Sequence, residues 1–287
     1  MKILVIGSKG QLGSDMCISC RKHGHQVWPV DVPDIDITTE SSVRDVISGL
    51  KPEVVINCAA FTDVDACEQR QELAFAVNGI GVENIGRQSA TVGSRVIHIS
   101  TDYVFDGTKK SAYIETDSPC PQSIYGKSKL AGEEALGRTN EKSAILRVAW
   151  LYGVYGKNFV KTIRRVARQK AQEGAKLSVV NDQFGTPTYT GDVCAQTLKI
   201  LQDDYYGIFH CTNEGECTWF DFASHIIDCS GISVQIEPCT TDAFPRPAPR
   251  PHNSVLENKR LKEAGIHCMR DWKDAFASFL KEEKVSE

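Results

Sequence analysis

The chain opens with a short apolar run, residues 2–6, that passes directly into Gly7-Ser-Lys-Gly10-Gln11-Leu12-Gly13 and then into an amphipathic stretch over 12–22. A strand, a glycine-rich turn and a helix start in immediate succession leave few folds open. Glycine lets backbone approach a pyrophosphate, and the unpaired N–H groups of a helix's first turn face the anion. The spacing is G-x-x-G-x-x-G rather than the commoner G-x-G-x-x-G, so the weight rests on its place after a strand that begins at residue 2. Gly7, Gly10, Gln11, Leu12 and Gly13 are therefore candidate dinucleotide contacts.

The next segments continue that pattern. A second strand over 26–30 ends at Asp31, about 21 residues past the middle glycine, where an acidic group binds the ribose 2′-hydroxyl of NADH. Lys9 and Arg21 stand near enough to meet a 2′-phosphate, which keeps NADPH open. Thr38 or Thr39 reads as the cap of a helix over 41–50. Before it, Asp36 and Ile37 either lie by the adenine or form a turn and a plug. A buried strand over 54–57 leads into Cys58-Ala59-Ala60-Phe61-Thr62, whose small residues either let a cofactor's sugar and phosphates lie on the backbone or pack helix against sheet. A helix is expected from residue 66 to about 78. Asn78, in an apolar and glycine-flanked setting, is expected to hold a water and the Lys129 ammonium.

Residues 96–129 carry the chemistry. An apolar strand over 96–99 ends in Ser100-Thr101, delivering a hydroxyl to the carboxyl edge of a sheet, and a later helix carries Tyr125 and Lys129 one turn apart. A phenol titrates near 10, but a cation about 4 Å away at an effective dielectric of about 20 favours the phenolate by roughly 4 kcal/mol. Such a Tyr serves as a general acid or base. A fifth strand over 144–147 precedes Trp150, Tyr152 and Gly153, an aromatic pair that reads equally as a ligand wall or as core. Strands and helices alternating in this way imply a right-handed, doubly wound parallel sheet with its ligand along the carboxyl ends.

Beyond residue 150 the pattern loosens. The helix over 159–172 carries Lys161, Arg164, Arg165, Arg168 and Lys170, yet the net charge of −4 and pI near 6.0 favour a solvated helix face over a nucleic-acid surface. A strand over 177–180 leads to Asn181-Asp-Gln183-Phe-Gly, followed by helices over 191–201 and 219–229, and His210 reads as a strand residue with a satisfied ring. The proline-rich run at 244–254 presents Arg246 and Arg250, either as a linker or as a stiff loop that contacts a diphosphate. A last helix is expected over 272–283. No apolar run approaches the roughly 20 residues that span a bilayer. Eleven cysteines, an odd number scattered through apolar contexts, suit reduced thiols used as buried hydrophobes. Cys17 and Cys20 form a C-x-x-C without a second pair, so packing outweighs metal or redox chemistry there. A cytoplasmic location is expected, with no membrane and no nucleic acid among the partners.

The glycine-rich turn, the Asn57-to-Ala60 segment, Ser100-Thr-Asp-Tyr-Val-Phe-Asp-Gly107, Tyr125 with Lys129, Asn181-Asp-Gln-Phe-Gly185 and Arg250-Pro-His-Asn-Ser254 occur in that order. Together they resemble the dTDP-4-dehydrorhamnose reductases, extended short-chain dehydrogenase/reductases, over nearly the whole chain. The resemblance implies an α/β fold: a doubly wound parallel-sheet Rossmann domain over 1–150 and a smaller mixed α/β substrate-binding region over 151–287, with 177–201 returning to the Rossmann sheet. It implies reduction, by NADPH or NADH, of the C4 ketone of a 4-keto-6-deoxy sugar on dTDP. Tyr125 would protonate the C4 oxygen, Lys129 would hold the nicotinamide ribose and lower the Tyr pKa, and Thr101 would bond the substrate oxygen. Asp102, Tyr103 and Trp150 would shape the sugar pocket, with Asn181, Gln183 and Arg250 as further substrate contacts. Some members pair through Mg2+ held by acidic side chains at a dimer interface; Asp15 could be one such ligand, but Pro187 to Asp192 offers no clear acidic match, so a homodimer is compatible with the sequence and the metal is not supported. Two rival readings remain: a non-catalytic NAD(P)-binding regulatory subunit of the methionine adenosyltransferase type, and another nucleotide-sugar epimerase or dehydratase.

Overall fold

Apolar runs with no polar face become strands buried on both sides, which is the environment of a parallel sheet covered by helices. The computed structural model describes residues 1–286. Strands β1 (Lys2–Ile6), β2 (Gln26–Val30), β3 (Val54–Asn57), β4 (Arg95–Thr101), β5 (Ser143–Val148) and a later strand, Gly207–His210, form one parallel six-stranded sheet. The order runs from Gly207–His210 through β5, β4, β3 and β1 to β2. The chain leaves β1 for β2 on one side and finds β3 on the other, so a crevice opens at the carboxyl ends of β1 and β3.

Helices α1 (Gln11–Lys22) and α2 (Glu40–Leu50) follow β1 and β2. Between β3 and β4 lie α3 (Val64–Gln69), α4 (Gln71–Phe75), a π-helical turn at Ala76–Ile80, and α5 (Gly81–Thr91). The helix expected to stop near residue 78 instead runs on after a wide turn that rotates Asn78 into the interior. Helix α6 (Ile124–Thr139) begins at Ser123, whose hydroxyl accepts from the Gly126 N–H at 3.1 Å. One apolar core lies between the sheet and α1, the other between the sheet and α2 with α5.

The carboxyl-terminal part is mixed. Short strands β6 (Leu151–Tyr152), β7 (Leu177–Val180), β8 (Phe184–Gly185) and β9 (Thr188–Tyr189) alternate with α7 (Phe159–Gln172) and α8 (Thr190–Gln202); β10 is Gly207–His210. Then come β11 (Cys217–Thr218), α9 (Trp219–Ser230), β12 (Ile236–Cys239), α10 (Lys259–Glu263) and α11 (Trp272–Ser286). Of the expected return of 177–201 to the main sheet, the helix holds and the strand needs correction: α8 packs with α1 in the core against the sheet, whereas β7 pairs with β12 in a separate two-stranded sheet and β10 is the strand that joins β5. Residues of β7 are alternately buried and half-buried, and half of β10 is half-buried too, so pairing rather than burial separates the two strands. A third core, rich in Tyr152, Phe222, Phe276 and Phe279, holds this region together. Two basic residues of α7 are paired within the chain, Arg164 with Glu283 and Lys170 with Glu173. No helix among the described residues is long and apolar enough to cross a membrane.

Candidate active site

At the crevice, Gly7 has φ of +78°, and a Cβ there would sit 2.6 Å from the Ala59 nitrogen, so the turn needs glycine to nest against the end of β3. The first turn of α1 has no side-chain cap from Gly10. Its N–H groups are thus available to an anion. A cleft of about 770 Å³ starts here, with Gly10, Gln11, Leu12, Cys58, Ala60 and Thr62 along one wall. Gly7, Gly13 and Ala59 shape this wall from behind rather than lining it. The Asp31 carboxylate accepts from the Lys9 N–H at 2.9 Å and the Val32 N–H at 2.9 Å, which ties the end of β2 to the glycine-rich turn.

Three expected cofactor contacts have partners within the chain. Asp36 accepts from the N–H and hydroxyl of Thr38 and from the hydroxyl of Thr39, and Ile37 is buried against Gly81, which builds the turn and the plug of that loop. Asn78 does not hold Lys129. Its amide accepts from the Phe61 N–H at 2.8 Å and donates to the Phe61 carbonyl and the Ser128 hydroxyl, both at 3.0 Å, clamping the loop after β3 onto α6.

The other end of the cleft gathers Thr101, Asp102, Tyr103, Tyr125, Lys129 and Trp150. Helix α6 comes close enough because Gly126 lies against the Tyr103 carbonyl; an added Cβ would be 2.2 Å from that oxygen. Thr101 donates to Asp102 at 2.9 Å and accepts from the Tyr103 N–H at 3.2 Å. Burial pushes the Tyr125 phenol above its usual range, partly offset by a hydrogen bond with Thr101, while Asp102 and Cys67 add to the rise. Lys129, one helical turn along α6, is held by contacts of its own. Its nitrogen donates to the Ile99 carbonyl at 2.6 Å and lies 3.3 Å from His98 Nε2. Burial brings the ammonium down to about 8, with Glu133 and Cys58 opposing. Asp102 is lifted to about 6 by burial, against hydrogen bonds from Ser254 and Thr101. Tyr125 is thus fully protonated at neutral pH, the form a general acid must have.

Trp150 lies in the left-handed region, φ +47°, stacked on Trp219 with ring centroids 3.5 Å apart and backed by Gly185. Tyr152, its companion in the sequence, is buried in the third core, so the aromatic pair divides into one cleft wall and one core residue. Gln183 lines the cleft; it accepts from the Trp219 indole at 3.1 Å and donates to Thr241. Asn181 accepts the Thr218 hydroxyl at 2.7 Å instead of facing the cleft. Arg250 pairs with Asp65 at 2.9 Å, fixing the proline-rich segment to α3 at the edge of a second groove of about 800 Å³. That groove adjoins the cleft at Phe159, Gln183 and Trp219 and carries Lys170, Lys176 and Arg246 on its walls.

Trp219, Lys157 and Ser254 line the cleft but were not singled out by spacing. Lys157 follows Gly156 in a loop beyond β5, a signal open to a closer reading. Trp219 becomes a cleft residue only through tertiary stacking. Asp15 is buried and accepts the Thr190 hydroxyl, while Asp192 pairs with Arg270 and Asn213. Among the described residues no three His, Cys, Asp or Glu side chains are grouped to hold a metal ion.

The family model described as RmlD substrate binding domain matches residues 1–285. The spore coat polysaccharide biosynthesis protein SpsK of Bacillus subtilis is 40% identical over 281 residues, covering 98% of this chain and 97% of that protein. A solved dTDP-4-dehydrorhamnose reductase of Clostridium acetobutylicum is 44% identical with a TM-score of 0.96, over 99% of this chain and all of that one. A second, from Bacillus anthracis in complex with NADP, is 37% identical with a TM-score of 0.94, over 98% of this chain and 100% of that chain. With both sequence and fold matched from end to end, the chain belongs to the RmlD family of dTDP-4-dehydrorhamnose reductases.

Proposed function

We propose that this chain is an NAD(P)H-dependent reductase that converts dTDP-4-dehydro-L-rhamnose to dTDP-L-rhamnose, with Tyr125 as the acid. The observation that carries the roles is the convergence of Thr101, Tyr125 and buried Lys129 in the same cleft as the uncapped first turn of α1. When bound, the reduced nicotinamide supplies the hydride. Gly10, Gln11 and Leu12 would hold its pyrophosphate through backbone N–H groups, and Asp31 would stand by the adenosine ribose. Thr101 positions the sugar's C4 oxygen. Tyr125 donates its phenolic hydrogen to that oxygen as negative charge develops there, and Lys129 steadies the phenolate that remains.

Trp150 and Tyr103 form the walls of the sugar chamber. The adjoining groove, with Lys170, Lys176 and Arg246 at its rim, would take the nucleotide. All eleven cysteines are free, which supports a reducing, cytoplasmic setting. No observation favours the rival readings. A purely regulatory subunit has no need of a buried lysine one turn from a tyrosine, and a dehydratase would place Asp-Glu after the threonine where Asp102-Tyr103 stands.

The test is loss of reduced-nicotinamide absorbance on adding dTDP-4-dehydro-L-rhamnose, with NADH and NADPH compared. Turnover with either cofactor supports the reading; none with both would favour a regulatory role.

A further inference from the structure

Lys129 lacks the partner expected for it, and the partner it has is not neutral in its effect. Ala59 N–H donates to Asn57 Oδ1 at 3.1 Å, which fixes the orientation of that amide. Its Nδ2 therefore faces His98 Nδ1, also at 3.1 Å. An amide nitrogen only donates, so Nδ1 accepts, and in the neutral ring the hydrogen resides on Nε2. Nε2 is the atom that lies 3.3 Å from Lys129 Nζ. An amine nitrogen accepts from a ring N–H; an ammonium has no lone pair with which to do so.

We propose that His98 is a positioning residue for Lys129: held by Asn57 as the Nε2–H form, it presents a hydrogen to the lysine nitrogen and favours the uncharged amine. His98 is wholly buried and stays neutral, because burial and then Lys129 hold its ring well below the usual imidazole range. The groups around Lys129 act in both directions. From its own helix come Tyr125 and Glu133, from the end of β3 Cys58, and from β4 His98 with the Ile99 carbonyl; Glu133 and Cys58 favour the ammonium. Arg147 on β5 engages Glu133 in a buried pair at 2.6 Å, which weakens its support for the lysine charge. The balance leaves the ammonium in the majority at neutral pH and brings its loss within the working range, so His98 would set the alkaline limit of the reaction.

The consequence for turnover rests on the reductase reading, but the titration itself does not. The experiment follows the Lys129 13Cε resonance against pH in the full-length protein, assigned by its disappearance in Lys129→Arg. In His98→Gln the amide oxygen can stand where the ring Nε2–H stood, replacing a donor to the lysine nitrogen with an acceptor for the ammonium. The Lys129 titration then moves up by about one pH unit or more, and the alkaline limb of the rate profile follows it. His98→Asn keeps the Asn57 contact and loses the reach to Lys129; it serves if the first variant does not fold, and it too moves the titration upward. A Lys129 titration unmoved in a folded His98 variant overturns the proposal. Absence of turnover in the unaltered protein would instead sink the reductase reading and leave the titration result standing.

Discussion

Thr101, Tyr125 and Lys129 could be read from the sequence because each belongs to a local pattern: a strand end for the threonine, and helical spacing for the other two. Asn78, Asn181 and Arg250 could not be placed in the same way. Each has its partner far along the chain, Phe61, Thr218 and Asp65 respectively, and spacing says nothing about such pairs. Asp31 is a case where sequence and structure agree in outline, since its carboxylate sits at the end of β2 beside the glycine-rich turn. Removing it should affect the cofactor whose ribose carries a free 2′-hydroxyl. Asp31→Ala is expected to weaken NADH more than NADPH, by roughly 1–2 kcal/mol if one charge-assisted hydrogen bond is lost. Titrating both cofactors by fluorescence checks this, and equal losses would remove Asp31 from the 2′ position.

Helix α6 is the element on which the site depends, and the sequence marks where it starts but not what holds it. Tyr125 and Lys129 one turn apart place its first turns. The buried pair between Glu133 and Arg147 is invisible at that level, because Arg147 occupies a strand that otherwise reads as apolar. Arg147 and Glu133 are 1% and 4% exposed, and Ser100 adds its hydroxyl to the same carboxylate. Removing one charge from a buried pair strands the other, at a cost of about 3 kcal/mol or more. Glu133→Gln should therefore lower the thermal midpoint by roughly 6–12 °C, read by calorimetry; an unchanged midpoint would mean the pair adds nothing to the docking of α6. The π-helical turn before α5 was also hidden, since only packing against the Phe61 loop reveals why Asn78 turns inward.

For the whole molecule, the doubly wound sheet was legible from strand rhythm up to β5, and the return of the chain was not. β7 and β10 are equally short and apolar, and only tertiary pairing shows that β10 joins the sheet. The two halves meet where Asp15 of α1 accepts the hydroxyl of Thr190 on α8. Burial lifts that carboxyl from 3.8 to about 6, with the Thr190 bond opposing and Glu282 adding to the rise. A raised folded-state pKa means stability is highest below the unfolded value and is lost as pH rises through about 6. Asp15→Asn keeps an acceptor for Thr190 and removes the buried charge. It is expected to gain about 2 kcal/mol at pH near 8 and little at pH near 4, as measured by urea unfolding. A loss at the higher pH would show that the ionised carboxylate stabilises the junction. Across both halves the chemistry converges on the phenol of Tyr125, tested most directly by turnover of dTDP-4-dehydro-L-rhamnose by Tyr125→Phe beside the unaltered protein, with cofactor affinity measured on both. A fall of about 100-fold or more in kcat with cofactor binding nearly unchanged is expected; full turnover by the phenylalanine variant would remove Tyr125 as the acid.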